Sequence, residues 1–259
     1  MHPRTDSPLG PMVDRIAASF PLREPEQRAL LDMPCSVQTL PRGQILLAEG
    51  AFSPDVRVLL SGVACSYRSS SHGKRIVTAV HADGDILNVE AAFTTRASGG
   101  ARLLTGGSAA SVPSRIFVAL ALEMPRLGLA FWRAAAAREA SASAWAANIG
   151  RDGRARLARL LLELALAIEA AGNASREQFD LPMTLDEVAE AIGLCSPHVS
   201  RLFHGLEASE LVRRRGHHIE ILDWQGLAFV GELSGLGADE QAYVGPDVAI
   251  QTDEVQAGV

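Results

Sequence analysis

TLDEVAEAIGLCSPHVSRLF, residues 184 to 203, carries more information than any other stretch of this chain. Thr184 followed three residues later by Glu187 has the form of a capping box, which opens a helix. Val188, Ala189 and Ile192 then share its inward face. Gly193 falls where the chain must bend sharply, and a residue without Cβ takes the left-handed conformation there at little cost. A second helix is expected to open at Cys195 or Ser196, with Pro197 in its first turn, where a missing N–H does no harm. Val199, Leu202 and Leu206 place that helix on the core. Small Ala189 lets the two helices cross closely, and apolar Val199 fixes the second. Ser196, Pro197, His198, Ser200 and Arg201 are left on or near its outer face. A helix so presented can enter the major groove of DNA with its N-terminal residues against base edges.

The next residues extend this reading. Leu211 to Ile221, LVRRRGHHIEI, reads as two short strands joined at Gly216. That is a wing, with Arg213, Arg214 and Arg215 beside the phosphate backbone. Between Gly193 and His218 four arginines stand against Glu207 and Glu210, a local balance of +2. The whole chain is acidic, at −6, but six acids and no Lys or Arg lie in residues 224 to 259, so the remainder is balanced. An acidic protein with locally concentrated positive charge still binds nucleic acid.

Upstream the texture changes twice. Residues 1 to 20 read as a loose arm with a short helix, and residues 21 to 34 as an amphipathic helix ended by Pro34. From Ser36 to about Phe117 short apolar runs alternate with turn signals about every ten residues. The runs are Gln44 to Leu47, Val56 to Leu60, Val63 to Tyr67, Ile76 to Val80 and Ala109 to Phe117, a pattern of sandwiches and barrels. From Pro125 to about Asn148 the pattern is helical. Leu129, Trp132, Ala136, Ala140, Ser143 and Ala147 form a heptad-like stripe of mostly small residues, which suits either a partner helix or packing on its own domain. A further helix runs from about Arg154 to Ala171 and ends at Gly172-Asn173. Residues 174 to 182 read as a polar connection, and the last 30 or so as an acidic tail.

Composition excludes several classes. Hydrophobic residues make up 47% and charged residues 21% of 259, so wholesale disorder is not expected. The best apolar stretch, Leu157 to Ile168, is broken by Arg159 and Glu163 and is too short to span a membrane. Pro3, Asp6, Pro8 and Pro11 do not make a secretory signal. Cys35, Cys65 and Cys195 form no C-x-x-C pair, which argues against a disulfide framework or zinc ribbon and for the cytoplasm. No P-loop, Gly-x-Ser-x-Gly elbow or His-Glu-x-x-His pair exists. His81, Asp83 and Asp85 read as a turn rather than a metal site. No catalytic or metal-binding residue is assigned, and the chain is not expected to be an enzyme.

GLCSPHVSRLFHGLEASELVRRRGHHIEILD, residues 193 to 223, resembles the recognition helix and wing of the family of the cyclic-AMP receptor protein and the fumarate/nitrate reduction regulator (Crp/Fnr). Leu40-Pro41-Arg42-Gly43-Gln44, Glu49-Gly50, Leu59 to Val63, Gly73-Lys74-Arg75 and Asp83-Gly84-Asp85-Ile86 are similar, in order, to turns of that family's β-roll. The resemblance implies an α+β fold with a cyclic-nucleotide-binding-like β-roll (jelly roll), a long dimerisation helix and a C-terminal winged helix-turn-helix. The matching spans are an arm over 1–20, the roll over 21–122, the helix over 123–150, the DNA-binding domain over 151–230 and the tail over 231–259. It implies a homodimer on a palindromic operator in double-stranded DNA, contact with RNA polymerase, and an unidentified signal read by the roll. Ser196, Pro197, Ser200 and Arg201 would read bases, with His198 fitting a Pro-His-Val-Ser-Arg variant.

The pocket departs from the family. Cyclic-AMP-binding members resemble one another in Gly-Glu-Leu followed by Arg-Ser or Arg-Thr, whereas here Glu90 is out of register by one and Arg102 lacks a following Ser or Thr. Glu90 and Arg102 are the candidate effector residues, but a cyclic nucleotide is not expected. The cysteines are too scattered for an iron–sulfur cluster. A heme ligand at His72 or His81 is left open. The alternative function is a ligand-binding or protein-interaction β-roll that has lost specific DNA recognition.

Overall fold

The computed structural model describes residues 7–69, 73–94, 96–172 and 174–233. Residues 1–6 of the expected arm, His72, Asn173 and the acidic stretch from 234 onward lie outside the described residues. Seven strands build the N-terminal half: β1 (Ser36–Leu40), β2 (Ile45–Leu47), β3 (Asp55–Ser61), β4 (Ala64–Ser69), β5 (Arg75–His81), β6 (Gly100–Leu103) and β7 (Gly107–Pro113). They form two antiparallel sheets, ordered β1-β7-β3 and β2-β6-β4-β5. In β5 the side chains of Val77, Ala79 and His81 are buried while those between them are half-buried, the period of two that a pleated strand imposes. Leu46, Leu47, Leu59, Leu87 and Leu103 fill the interior of the roll.

Five of these strands lie where the apolar runs predicted them. β1 escaped because four of its five side chains are exposed, so it shows no alternation. β6 lies outside the apolar runs because it opens on Gly100 and is only four residues long. The run expected over 109–117 ends as a strand at Pro113, and α3 (Ser114–Glu123) takes over.

The short helix expected in the arm is present, but over its described part the arm is docked rather than loose. In α1 (Gly10–Ser19) Met12, Val13 and Ile16 are buried, and with Leu9 they pack against Val56, Val58, Ala110 and Val112. Gly84, at φ +86°, sits so close to the carbonyl of Pro11 that a Cβ there would collide with it. Arg15 Nε donates to Asp85 Oδ1 at 2.9 Å beside this contact. α2 (Glu24–Leu31) follows, and its Glu26 accepts from Arg126 at 2.9 Å.

α4 (Pro125–Ile149) is 25 residues long, or about 37 Å at 1.5 Å per residue. Leu127, Ala130, Phe131, Trp145 and Asn148 are its buried face. Leu129, Trp132, Ala136, Ala140, Ser143 and Ala147 are all exposed. After Gly150 the chain reverses into α5 (Gly153–Ala170), capped by Asp152, whose carboxylate accepts the Ala155 N–H at 2.9 Å. Leu157, Leu161, Leu164 and Ile168 are buried as predicted.

The stretch read as a polar connection contains a strand, β8 (Gln178–Asp180). It pairs with β10 (His218–Ile221), which pairs with β9 (Val212–Arg215). Three residues with one buried side chain, Phe179, are too short to show a period. α6 (Leu185–Ala191), α7 (Ser196–Ala208) and α8 (Trp224–Val230) complete the C-terminal half. One apolar cluster crosses between the halves: Val63, Cys65, Val77 and Leu104 of the roll pack with residues of α5, α6 and α7.

Candidate nucleic-acid interface

The pair α6–α7 is set by a few local bonds. Thr184 Oγ1 accepts the Glu187 N–H at 3.2 Å, and Glu187 Oε2 accepts the Thr184 N–H at 2.8 Å, closing the capping box. Gly193 has φ +69°, and the Leu194 N–H returns to the Ala189 carbonyl at 2.8 Å. Only a residue tolerant of the left-handed region makes that bend without strain. α7 then opens from extended Cys195 with Pro197 in its first turn. Val199, Phe203 and Leu206 are buried against the rest of the domain.

The five residues expected on the outer face of α7 divide. The Arg201 side chain is exposed and, among the described residues, makes no hydrogen bond or ion pair. Pro197 is exposed and Ser200 half-buried. Ser196 Oγ donates to Asp186 Oδ1 of α6. His198 differs from expectation. It shares the side of α7 that meets the start of α5, where a Cβ on Gly153 would lie 2.9 Å from Leu202 Cδ1 and 3.4 Å from His198 Nε2. The cause is the helical period: 198 and 202 are one turn apart, so a helix that seats Leu202 on Gly153 turns His198 the same way.

The three wing arginines also differ from one another. Gly216, at φ +64°, joins β9 to β10. Arg213 pairs across the wing with Glu220 at 2.6 Å. Arg214 lays its guanidinium over the Phe203 ring, 4.8 Å from the centroid, and donates to the Gly216 carbonyl at 2.9 Å. Its backbone N–H goes to Glu207 Oε1 at 3.0 Å. The Arg215 side chain is exposed and makes no hydrogen bond or ion pair among the described residues. The sequence reading missed Glu207 and Phe203, which tie the wing to α7; pattern shows that both lie on α7 but not which strand they meet.

Glu90 and Arg102 are not brought together. Glu90, on a single 3-10 turn over Val89–Ala92, is gripped on both carboxylate oxygens by Arg138 of α4, at 2.7 and 3.0 Å, and accepts from Ser98 Oγ at 3.1 Å. Arg102, on β6, donates to Glu187 Oε1 at 2.9 Å and is 13% exposed. A recess of about 190 Å³ in the roll is lined by Leu46, Phe52, Arg57 and Ala97, among others, and includes neither residue. Both candidates are therefore spent on structural ion pairs.

The His81 turn is structural as well. His81 Nε2 is 2.8 Å from Ser66 Oγ, and Asp85 Oδ2 accepts the Ala82 N–H at 3.0 Å. Burial alone would lift the Asp85 carboxyl, but His81, Arg15 and the Ala82 N–H hold it below its ordinary value. Among the described residues no group of three His, Cys, Asp or Glu is placed to hold a metal ion, and no helix is long and apolar enough to cross a membrane.

Comparison with known proteins agrees with this arrangement. Residues 155–230 match the profile of the Crp-like helix-turn-helix domain, and residues 37–123 that of the cyclic nucleotide-binding domain. The chain is 25% identical over 224 residues to the anaerobic regulatory protein of Haemophilus influenzae, covering 86% of each chain. It is 24% identical over 230 residues to the fumarate and nitrate reduction regulatory protein of Vibrio cholerae, covering 88% of this chain and 90% of the other. Among solved structures it is similar to FixK2 from Bradyrhizobium japonicum, with TM-score 0.68 and 20% identity over 76% of this chain and 98% of that one.

Proposed function

The chain is a DNA-binding transcriptional regulator of the Crp/Fnr family, and we propose that two copies pair through α4 to grip a palindromic operator. The observation that carries the pairing is the stripe from Leu129 to Ala147, exposed along the whole of α4, with Trp132 74% and Leu129 43% exposed. Small residues at Ala136, Ala140, Ser143 and Ala147 let a second copy of the helix approach closely. The alternative in which α4 packs only on its own domain leaves that stripe in water.

In the pair, each α7 enters a major groove, with half-sites about one helical turn apart. Arg201 is the base-reading residue, able to pair bidentately with guanine O6 and N7. Ser200 and Pro197 flank it. Arg215 is the phosphate contact of the wing, while Arg213 and Arg214 shape the wing that carries it. Ser196 and His198 act from behind the interface.

Signal input comes through the roll. A cyclic nucleotide is not favoured, because Arg138 and Glu187 already occupy the charged groups that would hold one. The reading places the protein in the cytoplasm with RNA polymerase as a further partner, and gives it a regulatory rather than a catalytic role. Gel-shift measurement against genomic fragments at several salt concentrations tests it. A sequence-dependent complex with a steep salt slope is expected; salt-insensitive or sequence-blind binding would contradict it.

A further inference from the structure

The structure points to Glu187 as a positioning residue: we propose that Glu187, held by Arg42 and Arg102 of the roll, sets the angle between the roll and the reading helix and so fixes which half-site spacing the paired protein accepts. This rests on the pairing through α4 proposed above. Glu187 belongs to α6, yet two arginines of the roll, far apart in sequence but neighbours where the β1–β2 turn meets β6, converge on it. Arg42, in the β1–β2 turn, donates to Oε2 at 2.6 Å, and Arg102, on β6, donates to Oε1 at 2.9 Å. Arg42 also reaches the Pro182 carbonyl, at 3.2 and 3.4 Å, and the Arg75 N–H donates to Glu190 Oε1 one turn further along α6 at 2.7 Å.

The Arg102 bond is sheltered from water, whereas Arg42 closes the other side of Glu187 from a half-exposed position. Glu187 is 21% and Arg102 13% exposed, and Leu185 and Val188 of α6 lie in the apolar cluster that includes Val63, Cys65, Val77 and Leu104. An ion pair shielded like Arg102–Glu187 holds geometry better than one on an open surface. The consequence is mechanical. α4 leaves the roll at one end, α6 is clamped to it elsewhere, and α7 rests on α6 through Val199 and the Gly193 bend. The roll–α6 angle is therefore the joint that sets the distance between the two copies of Arg201.

The test uses the full-length chain and Glu187→Gln. Glutamine still accepts the Thr184 N–H, so the capping box survives, while both arginines lose their charged partner. Binding is measured to duplexes carrying two half-sites, recovered by selection from random DNA, whose separation is varied in single base-pair steps around about ten, and to a duplex with one half-site. Wild type is expected to favour one spacing. The variant should lose about tenfold at that spacing, flatten across the others, and bind the single half-site within about twofold of wild type. Arg42→Gln combined with Arg102→Gln should reproduce the pattern. A variant as selective for spacing as wild type, or one weakened equally on every duplex including the half-site, would overturn the proposal. A wild type indifferent to spacing would remove the pairing itself, and this proposal with it.

Discussion

Trp145 and Glu163 join α4 to α5: the indole N–H donates to Oε2 at 2.7 Å, and Arg159 holds the other oxygen at 2.9 Å. All three side chains are nearly dry, with Trp145 2%, Arg159 8% and Glu163 15% exposed. Removing the carboxylate would strand a buried guanidinium. Glu163→Leu should therefore cost about 3 kcal/mol or more in urea unfolding. Adding Arg159→Leu should recover at least half of that loss, because the uncompensated charge goes with it. If the double variant is no more stable than the single one, the pair is not the source of the cost.

Arg201, Arg214 and Arg215 should behave as three kinds of residue. Arg201→Ala is expected to weaken the cognate site by about 1–3 kcal/mol and relax one base position, with little effect on random DNA. Arg215→Ala should weaken all sequences alike and lower the salt slope by about one. Arg214→Ala should lower the melting temperature as well, since it removes the Phe203 platform contact and the Gly216 bond. Affinity at several salt concentrations together with thermal melting separates the three.

Gly193 should tolerate no ordinary side chain cheaply. The nearest atom to a Cβ built there is 3.9 Å away, so space is not limiting, but φ is +69°. Gly193→Ala is then expected to cost about 1 kcal/mol of stability through backbone strain alone, and Gly193→Asn less. Equal losses for the two would argue that packing, not conformation, sets the requirement.

Trp132→Glu should separate assembly from folding. The side chain is 74% exposed, so a carboxylate there is tolerated within one chain. Across a pairing helix it would meet its own copy. Sedimentation should show a monomer where wild type shows a dimer, with melting of the isolated chain little changed and palindrome affinity greatly reduced.

Acid should loosen the clamp around Glu187. Burial by itself would raise this carboxyl, but the Thr184 N–H, Arg102 and Arg42 together hold it below its ordinary 4.5. Its contribution is complete above that value and drains away as pH falls through the lower folded value. Asp85 has the same sign. Glu163 runs oppositely: burial raises it, so ionising it in the fold costs stability as pH climbs past 4.5. Melting followed from about pH 7 to about pH 3 should show Glu187→Gln less stable than wild type at the upper end, with the gap closing below 4.5.

The architecture was legible wherever local chemistry decides it. The capping box at Thr184, the bend at Gly193, the buried stripe of α5 and the turn at Gly216 each follow from residues close to one another in sequence. What escaped was settled at a distance. Glu187 reads as a cap from its neighbours, but its arginine partners lie 145 and 85 residues away. His198 reads as outward until Leu202 is found seated on Gly153. Glu90 reads as a pocket acid until Arg138, 48 residues on, is seen to hold it. The short helix of the arm reads as loose because the groove that receives Met12 and Ile16 belongs to strands far along the chain.

Cys195 stands open to solvent at the mouth of α7, whereas Cys35 is half-buried with its thiol raised by burial and Cys65 is sealed in the core, its thiol pushed up to about 11 chiefly by burial. Alkylating reagents will therefore find one position first, and it sits at the end of the helix proposed to enter the groove. Occupied operator would screen that sulfur, so the rate of maleimide labelling becomes a direct clock for how long each reading helix stays seated.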